Sequence, residues 1–332
     1  MKILITGAHG FMGSNLARFL LEKDYEVKGM VRRGGDFSML DGIDIELIEG
    51  DLEDPQSLRE ACQGIDTIFH LAGCTHEWDW WPVYKRINVD GTKALLDAAV
   101  EASVSRFIYM SSLAVHHFHG IKEGNEETKK DGWLFTGYSR SKIEAEAIVQ
   151  QYHNDGKIKT IIIRPGVFPY GPNARIHMKI FDTMNSKGWG YVNGGKALVS
   201  TVYVDNLSHG MVLALENEKA YGNTYIIADD YKLTWKELSE EFCRALEVPM
   251  PKVNAPLFVA YSLGWVLEKF YRLFKIKKAP ILTRYTTSLA GKDFYFLPKK
   301  AEEELGYKPI VPFEEGVKKT IEWYKNLEKN KK

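Results

Sequence analysis

The chain has 332 residues, of which 45% are hydrophobic and 27% charged, and its 44 lysines and arginines balance 44 aspartates and glutamates. This composition excludes wholesale disorder, collagen-like repeats and a polytopic membrane protein, and it lacks the basic excess of a nucleic-acid binder. The three cysteines, Cys62, Cys74 and Cys243, lie far apart and argue against a disulfide scaffold or a structural zinc site, so we expect a cytoplasmic protein with reduced thiols.

Short apolar runs alternate with helical patterns along the first half of the chain. Strands are predicted at residues 2–6, 25–31, 45–48, 67–71, 106–110, 160–164, 201–204 and 224–228. Helices are predicted at residues 11–23, 56–62, 91–102, 138–152, 206–216 and 235–246. Because strands that alternate with helices of this length form βαβ units, the sequence predicts an α/β protein with a doubly wound parallel sheet, a Rossmann fold.

The alternating pattern loosens after Pro165, where prolines and glycines break the chain into loops and short elements. We therefore expect residues 1–165 to form mainly a dinucleotide-binding domain and residues 166–325 to form mainly a smaller, mixed substrate-binding portion. Some strands and helices of the second portion are free to return to the first domain. The lysine-rich residues 326–332 are predicted to form a frayed tail.

A glycine-rich motif, TGAHGFMG from Thr6, lies between the first predicted strand and the first predicted helix. Glycines allow a tight turn with positive φ and a close approach of the main chain to a phosphate. The N-terminus of the following helix offers unpaired N–H groups to a pyrophosphate. The spacing is GxxGxxG rather than the commoner GxGxxG, but the strand–turn–helix context predicts a dinucleotide site that includes Gly7, Gly10 and Gly13.

The end of the second predicted strand bears on the choice of cofactor. Folds that prefer NAD place a carboxylate there for the ribose, whereas arginine accommodates the 2′-phosphate of NADP. Arg32 and Arg33 follow this strand and the first carboxylate is Asp36, so we predict NADP, with NAD as the alternative. Both arginines could also belong to a solvated loop. Asp51, after the third strand, could reach the adenine amino group or form a turn before Pro55.

Tyr138 and Lys142 stand four residues apart in a predicted helix, so both side chains project from one face. A free phenol has a pKa of about 10, and a nearby ammonium group lowers it by stabilising the phenolate. The pair suits proton transfer to a carbonyl or from an alcohol. Ser112 follows a predicted strand, at the edge where open α/β sheets bind ligands, and its hydroxyl could hold the substrate oxygen beside the phenol.

These features fall in the order of a known family. In order they are TGAHGFMG from Thr6, FHLAG at 69–73, NVDGT at 88–92, Ser111 with Ser112, Tyr138 with Lys142, RPG at 164–166, YGP at 170–172 and VYVDN at 202–206. The chain resembles the extended short-chain dehydrogenase/reductases, also called the NAD-dependent epimerase/dehydratase family. The resemblance covers nearly the whole length.

The resemblance implies a role for each matching residue. Ser112 corresponds to the catalytic serine, Tyr138 to the acid/base, Lys142 to the ribose-binding residue that also tunes the tyrosine, and Asn88 to a structural asparagine. No metal is expected, and a homodimer is implied. The predicted cofactor-binding residues are Gly7, Gly10, Phe11, Met12, Gly13, Arg32, Arg33, Asp51, Leu52, Leu71, Ala72, Tyr138 and Lys142.

The second half most resembles the 3β-hydroxysteroid dehydrogenase and dihydroflavonol reductase branch. Aromatic residues suited to an apolar substrate or to loop packing precede or follow the predicted site: Trp78, Trp80, Trp81, Trp133 and Phe135. Arg175 and Lys196 could instead hold the diphosphate of a nucleotide sugar, or could be plain surface charges. His116, His117 and His119 have no acidic or thiol partner at ligand spacing, so we expect no metal there.

Residues 255–278 are apolar and aromatic and end in a basic run, a composition that suits a helix in a membrane interface, a dimer contact or a pocket cover. From all these features we predict an NADP-dependent oxidoreductase that interconverts a secondary alcohol and a ketone on a small, largely apolar molecule. That molecule is steroid-like, flavonoid-like or 3-oxoacyl-like. The alternatives are a nucleotide-sugar epimerase or dehydratase with tightly bound NAD, and a non-catalytic nucleotide-sensing protein.

Overall fold

Seven parallel strands form the main sheet of the protein, in a computed structural model that describes residues 1–76, 78–132, 136–186 and 188–329. The strands of the chain are β1 (Lys2–Thr6), β2 (Glu26–Val31), β3 (Glu46–Glu49), β4 (Thr67–His70), β5 (Arg106–Met110), β6 (Ile121–Gly124), β7 (Lys159–Pro165), β8 (Phe168–Tyr170), β9 (Gly190–Val192), β10 (Leu198–Val199), β11 (Thr201–Tyr203), β12 (Thr224–Ile227), β13 (Leu233–Thr234), β14 (Val253–Ala255) and β15 (Phe294–Phe296). The helices are α1 (Phe11–Leu21), α2 (Pro55–Cys62), α3 (Trp81–Tyr84), α4 (Gly91–Glu101), α5 (Gly137–Asn154), α6 (Met178–Asn185), α7 (Val204–Glu216), α8 (Trp235–Leu246), α9 (Leu257–Leu273), α10 (Arg284–Gly291), α11 (Lys299–Leu305) and α12 (Phe313–Lys329).

The main sheet has the strand order β12-β7-β5-β4-β1-β2-β3. The chain therefore moves outward from β1 to β3 and then returns to the other side of β1 to form β4. This reversal opens a crevice at the carboxyl ends of β1 and β4, which is where open α/β sheets bind ligands. The predicted doubly wound parallel sheet is confirmed.

Alternate residues of each strand fill the two faces of this sheet. Ile3 and Ile5 pack in one apolar cluster, and Leu4 packs in the other. In β5, Ile108 joins the first cluster and Phe107 the second. Both faces are covered by helices, which is why these strands are apolar at every position rather than at every second one.

The second half of the chain contributes to both layers. β12 pairs with β7 and extends the main sheet. A smaller mixed sheet has the order β13-β10-β15-β6, and an aromatic cluster packs beneath α8 and α12. Residues 326–329 of the predicted tail are helical, because α12 continues through Lys329, and its inward face packs through Val317, Ile321 and Tyr324.

Candidate active site

The loop between β1 and α1 brings the main chain very close to itself. Gly7 has φ +70°, and a Cβ at this position would lie 3.0 Å from the backbone of Ala72. A Cβ on Gly13 would lie 2.2 Å from the carbonyl oxygen of Gly7. Gly10 begins α1 without any side-chain cap. The first N–H groups of α1 are therefore open to a phosphate, and the glycine cradle fits a dinucleotide.

The other residues predicted around this loop lie beside it. Phe11 and Met12 open α1 and are partly buried. Leu71 and Ala72 follow β4, on the opposite side of the crevice, and the Ala72 N–H donates to Thr6 Oγ1 at 3.1 Å. This bond joins the carboxyl ends of β1 and β4, the two strands between which the crevice opens.

The loop after β2 places two arginines and one carboxylate at the predicted ribose end. Arg32 and Arg33 are exposed. Asp36 accepts a hydrogen bond from Ser38 and pairs with Arg175, and these contacts hold the pKa of its carboxyl well below the usual range. Arg175 also donates to Ser38 Oγ at 2.7 Å. Arg175 is thus engaged with the loop after β2, contrary to the role of a diphosphate ligand considered for it, and Asp36 is already occupied.

Asp51 and Leu52 lie at the carboxyl end of β3. Asp51 Oδ1 accepts the N–H of Glu53 at 3.0 Å, so this carboxylate forms a turn. Leu52 is buried against Gly91, where a Cβ would lie 2.8 Å from the Leu52 Cβ. Lys196 is exposed in the second half of the chain. The contact of Asp51 with an adenine stays a prediction.

A buried chain of hydrogen bonds runs beneath the crevice through His70. His70 Nδ1 lies 2.8 Å from Thr6 Oγ1, and His70 Nε2 lies 3.0 Å from Thr92 Oγ1. Thr92 Oγ1 donates to the carbonyl of Asn88 at 2.6 Å, while Thr6 Oγ1 accepts from the main chain of Ala72. These fixed ends require His70 to carry its proton on Nε2. Burial lowers the pKa of His70 to about 3, so the imidazole is neutral.

Asn88 joins the loop after β4 to α5. It lies in a π-helical turn, Lys85–Asp90, of a kind that is frequent at functional sites. Its amide accepts from the Cys74 N–H at 2.7 Å, donates to the Cys74 carbonyl at 2.9 Å and donates to Ser141 Oγ at 2.9 Å. Ser141 in turn donates to the carbonyl of Tyr138 at 2.7 Å. Asn88 therefore positions the first turn of α5.

Lys142 lies inside the protein, one turn after Tyr138. Its ammonium donates to the carbonyl of Met110 at 2.8 Å and lies 4.8 Å from the ring centre of Tyr109. Burial lowers the pKa of Lys142 to about 8, and the carboxylate of Glu146 opposes this shift. The side chain is thus held at the carboxyl end of β5, with a pKa closer to neutral pH than that of a free lysine.

Tyr138 and Ser112 meet at the same edge. Ser112 is in extended backbone at the end of β5, and its Oγ accepts the N–H of Ala114 at 3.1 Å. Burial raises the pKa of Tyr138, and a hydrogen bond with Ser112 opposes this rise. Tyr138 therefore holds its proton at neutral pH. The lowering of its pKa expected from Lys142 is not found, because burial of the phenol acts in the opposite direction. The structure brings together the three predicted catalytic residues, Ser112, Tyr138 and Lys142.

A buried ion pair supports this site and was not predicted from the sequence. Glu146, one turn beyond Lys142 on α5, accepts two hydrogen bonds from Arg164, at 2.8 and 2.7 Å, and a third from Ser111 at 2.6 Å. Both charged side chains are almost completely buried. The signal in the sequence was the spacing of Tyr138, Lys142 and Glu146 at every fourth residue, which places all three on one helix face.

A cleft of about 230 Å³ lies next to the N-terminus of α5. Thr136 and Gly137 line one side of it, and Trp78 and Arg272 line another. The guanidinium of Arg272 lies 3.9 Å from the ring centre of Trp78 and 4.4 Å from that of Trp80. The cleft is the candidate substrate site because Thr136 and Gly137, which line it, directly precede Tyr138 at the start of α5.

The remaining predicted aromatic and histidine residues lie elsewhere. Trp81 packs under Arg140, at 3.7 Å, and Trp133 and Phe135 lie outside the described residues. His116 contacts the carbonyl of Lys129 at 3.0 Å, and its pKa is lowered to about 4 by burial. Within the residues that the structure describes, no three histidine, cysteine or acidic side chains are arranged to hold a metal. A larger cleft, of about 380 Å³, lies along the far end of α5 among polar residues and is distant from Tyr138.

The chain is similar to known proteins in both sequence and structure. The model of the NAD-dependent epimerase/dehydratase family matches residues 3–228. A 2-alkyl-3-oxoalkanoate reductase from Shewanella oneidensis is 28% identical in an alignment 329 positions long, which covers 95% of this chain and 84% of that protein.

Solved structures share the whole architecture. The crystal structure of gox2253 has 31% identity and a TM-score of 0.82, with 98% of each chain covered. DesIV, a dTDP-glucose 4,6-dehydratase from Streptomyces venezuelae solved with NAD bound, has 24% identity and a TM-score of 0.78, covering 98% of this chain and 97% of that one. The second likeness concerns the fold alone.

Proposed function

The chain belongs to the NAD-dependent epimerase/dehydratase family, and within it we propose an NADP-dependent reductase that interconverts a ketone and a secondary alcohol on a largely apolar 3-oxo acid. The observation that carries this proposal is the meeting of Tyr138 with Ser112, one helical turn from the buried ammonium of Lys142. A protonated phenol beside a second hydroxyl is the arrangement that carbonyl reduction requires.

In the reducing direction, the chemistry supplied by a bound nicotinamide would be hydride transfer to the carbonyl carbon. Tyr138 Oη would donate its proton to the carbonyl oxygen, so that the π bond of C=O is replaced by a C–H and an O–H bond while the C–O single bond remains. Ser112 Oγ orients the same oxygen by a hydrogen bond. The positive charge of Lys142 favours the phenolate that Tyr138 leaves behind, in a site where burial strengthens that interaction.

The loop after β2 supports NADP over NAD. Two exposed guanidinium groups, Arg32 and Arg33, stand where a 2′-phosphate is bound in this fold. The first carboxylate of that loop, Asp36, is paired with Arg175 and is therefore a poor partner for a free ribose hydroxyl. Removal of the Arg32 guanidinium should weaken the binding of NADPH more than the binding of NADH.

The cleft beside Tyr138 supports an apolar substrate that carries a carboxylate. Trp78 offers an aromatic wall. Three cations line the cleft, Lys269, Arg272 and Arg284, against two carboxylates, Asp79 and Glu268, so the charge of the lining is positive on balance. The reductase from Shewanella oneidensis carries such a substrate in its name, a 2-alkyl-3-oxoalkanoate. In a 3-oxo acid with alkyl chains, the chains suit the aromatic wall and the carboxylate suits the cationic residues.

The proposal is tested by following NADPH and NADH oxidation with alkyl-substituted 3-oxo acids, beside steroid, flavonoid and nucleotide-sugar substrates. We expect turnover of the oxo acids with NADPH. Tyr138→Phe should lower kcat about 10²- to 10⁴-fold with little change in NADPH affinity, measured by fluorescence titration. Wild-type turnover by the phenylalanine variant would refute the assignment.

The same assay separates the alternatives. A nucleotide-sugar epimerase or dehydratase would retain NAD through purification and act on the sugar substrates. A nucleotide-sensing protein would bind cofactor and turn over none of the panel. The homodimer and the cytoplasmic location stay predictions.

A further inference from the structure

One face of α9 exposes apolar side chains along its whole length. Ala260 and Gly264 face inward, and Gly264 packs so closely that a Cβ there would lie 3.0 Å from the backbone of Thr283. The opposite face carries Val259, Leu263, Val266, Phe270 and Leu273, spaced four, three, four and three residues apart, and all are exposed. At helical periodicity these five side chains form one continuous stripe.

Other exposed apolar side chains on α9 and in the segments next to it enlarge this stripe into a surface that we call the α9 surface. They are Phe258 and Trp265 on α9 and Met250, Val253, Phe274 and Ile281 in the neighbouring segments. Of the fifteen large apolar side chains that are exposed in the described part of the chain, eleven lie between residues 250 and 281. Leu273 is 74% exposed and Ile281 is 91% exposed. Contiguous apolar patches of this kind mark binding surfaces for proteins or membranes.

The same segment carries a strong positive charge, although the chain as a whole is neutral. Its cationic residues are Lys252, Lys269, Arg272, Lys275, Lys277, Lys278 and Arg284. Glu268 is the single carboxylate between residues 250 and 285, and it pairs with Arg284 at 2.7 Å. The remaining positive charge has no acidic counterpart within the segment.

This charge decides between the two occupants that an apolar helix face admits. A second copy of the chain related by a two-fold axis would bring the same cations against each other, which disfavours association. An anionic lipid surface would meet both the apolar stripe and the cations that flank it. We infer that the α9 surface binds the surface of anionic phospholipid membranes.

The geometry implies a helix that lies on the membrane rather than across it. α9 has 17 residues, a length of about 25 Å, against about 30 Å of bilayer hydrocarbon. In the part of the chain that the structure describes, no helix is both long and apolar enough to cross a bilayer. Trp80 and Trp265 are exposed at the flanks, where amphipathic rings suit the headgroup region.

The α9 surface adjoins the cleft beside Tyr138. Lys269 and Arg272 belong both to α9 and to the wall of that cleft. Trp78 connects the two sides, because its indole N–H donates to the carbonyl of Ile276 at 3.1 Å while its ring stacks on Arg272. If the proposed function holds, an alkyl-chain substrate dissolved in the membrane enters the cleft from the side that faces the lipid.

The test is co-sedimentation of the full chain with vesicles of phosphatidylcholine alone and with vesicles that also contain phosphatidylglycerol. We expect binding to the anionic vesicles only, weakened by high salt. Phe270→Ser with Leu273→Ser, and separately Lys277→Ala with Lys278→Ala, should each lower the partition coefficient by at least about tenfold. Ile310→Ser, which alters an exposed apolar residue elsewhere, should bind like the wild type.

Three results would overturn the inference: no sedimentation with either vesicle, binding that both double variants retain, or a dimer that both variants abolish while vesicles are ignored. Circular dichroism confirms that the variants are folded. NADPH oxidation with a short, water-soluble 3-oxo acid, measured without vesicles, tests the proposed function separately. Neither double variant should change that activity, since none of the four residues lines the cleft.

Discussion

Two parts of the molecule, the surroundings of α5 and those of α9, follow opposite physical rules. On the side of α5, the charged groups are buried and paired: Glu146 with Arg164, and Lys142 with a main-chain carbonyl. On the side of α9, large apolar side chains such as Phe258 and Leu273 lie in water. The first side is complete within the chain as regards charge, because the buried groups of Glu146, Arg164 and Lys142 each have a partner. The second side leaves its apolar side chains uncovered by the chain, and the membrane contact inferred above would cover them.

The largest effect is expected from breaking the buried pair. Glu146→Leu leaves the guanidinium of Arg164 buried without its carboxylate, and should lower the free energy of unfolding by about 3–5 kcal/mol. Glu144→Leu on the same helix removes an exposed pair with Arg140 and should cost at most about 0.5 kcal/mol. Urea denaturation of both variants measures the difference. Similar losses of unfolding free energy in the two variants would mean that the buried ion pair contributes no more to stability than the exposed one.

The second effect concerns the glycine cradle. Gly13→Ala places a Cβ 2.2 Å from the Gly7 carbonyl, a main-chain atom that cannot give way. We expect NADPH affinity to fall about a hundredfold, as overpacking of this kind costs about 1–3 kcal/mol or more. Gly188→Ala is the control, since its nearest neighbour would lie 3.5 Å away. Unchanged affinity for Gly13→Ala in a fluorescence titration would remove this loop from the cofactor site.

The α5 side was also the part that the sequence predicted best. The seven strands of the main sheet were predicted with bounds within one residue, because most of them are short apolar runs between turn signals. The helix at 235–246 matches α8, and Thr234 forms the predicted cap with a reciprocal bond from Glu237. Patterns of neighbouring residues suffice to predict elements whose buried residues and caps are set by the local sequence.

Features that depend on distant parts of the chain were missed. Glu146 was not singled out, because its partner Arg164 lies on another element, β7, and the sequence does not show which side chains of α5 meet that strand. The strands β6, β10 and β15 are two to four residues long, and they pair only after the chain has returned from elsewhere. The helix in 255–278 was anticipated, but its inward face, built on Ala260 and Gly264, becomes visible only when the packing of α9 is known.

The pH dependence of stability should follow the buried imidazoles. Burial lowers the pKa of His70 to about 3 and those of His116 and His177 to about 4. In the unfolded chain each imidazole binds a proton below pH of about 6.5, while the native state excludes it. Stability should therefore be full above pH 6.5 and fall as the pH drops, by about 2 kcal/mol per histidine at pH 5.

The dependence of stability on pH is measured as the shift of the urea midpoint between about pH 7.5 and pH 5, on either side of the ordinary histidine pKa of about 6.5. His177→Gln should reduce the pH dependence of stability by the contribution of one imidazole, because it removes one buried imidazole and leaves those of His70 and His116 in place. A slope that is flat in the wild type would show that these imidazoles charge without loss of structure.

The smallest effect is expected on the α9 side, and it is the sharpest check on the contrast between the two sides. Leu273 is 74% exposed, so Leu273→Ser removes little apolar contact and should change the free energy of unfolding by no more than about 0.5 kcal/mol. Leu16→Ala, at a fully buried leucine, should cost about 2–5 kcal/mol. If Leu273→Ser were as damaging as Leu16→Ala, its side chain would be part of the core in solution. The α9 face would then be covered by the chain itself, and no outside partner would be needed to explain it.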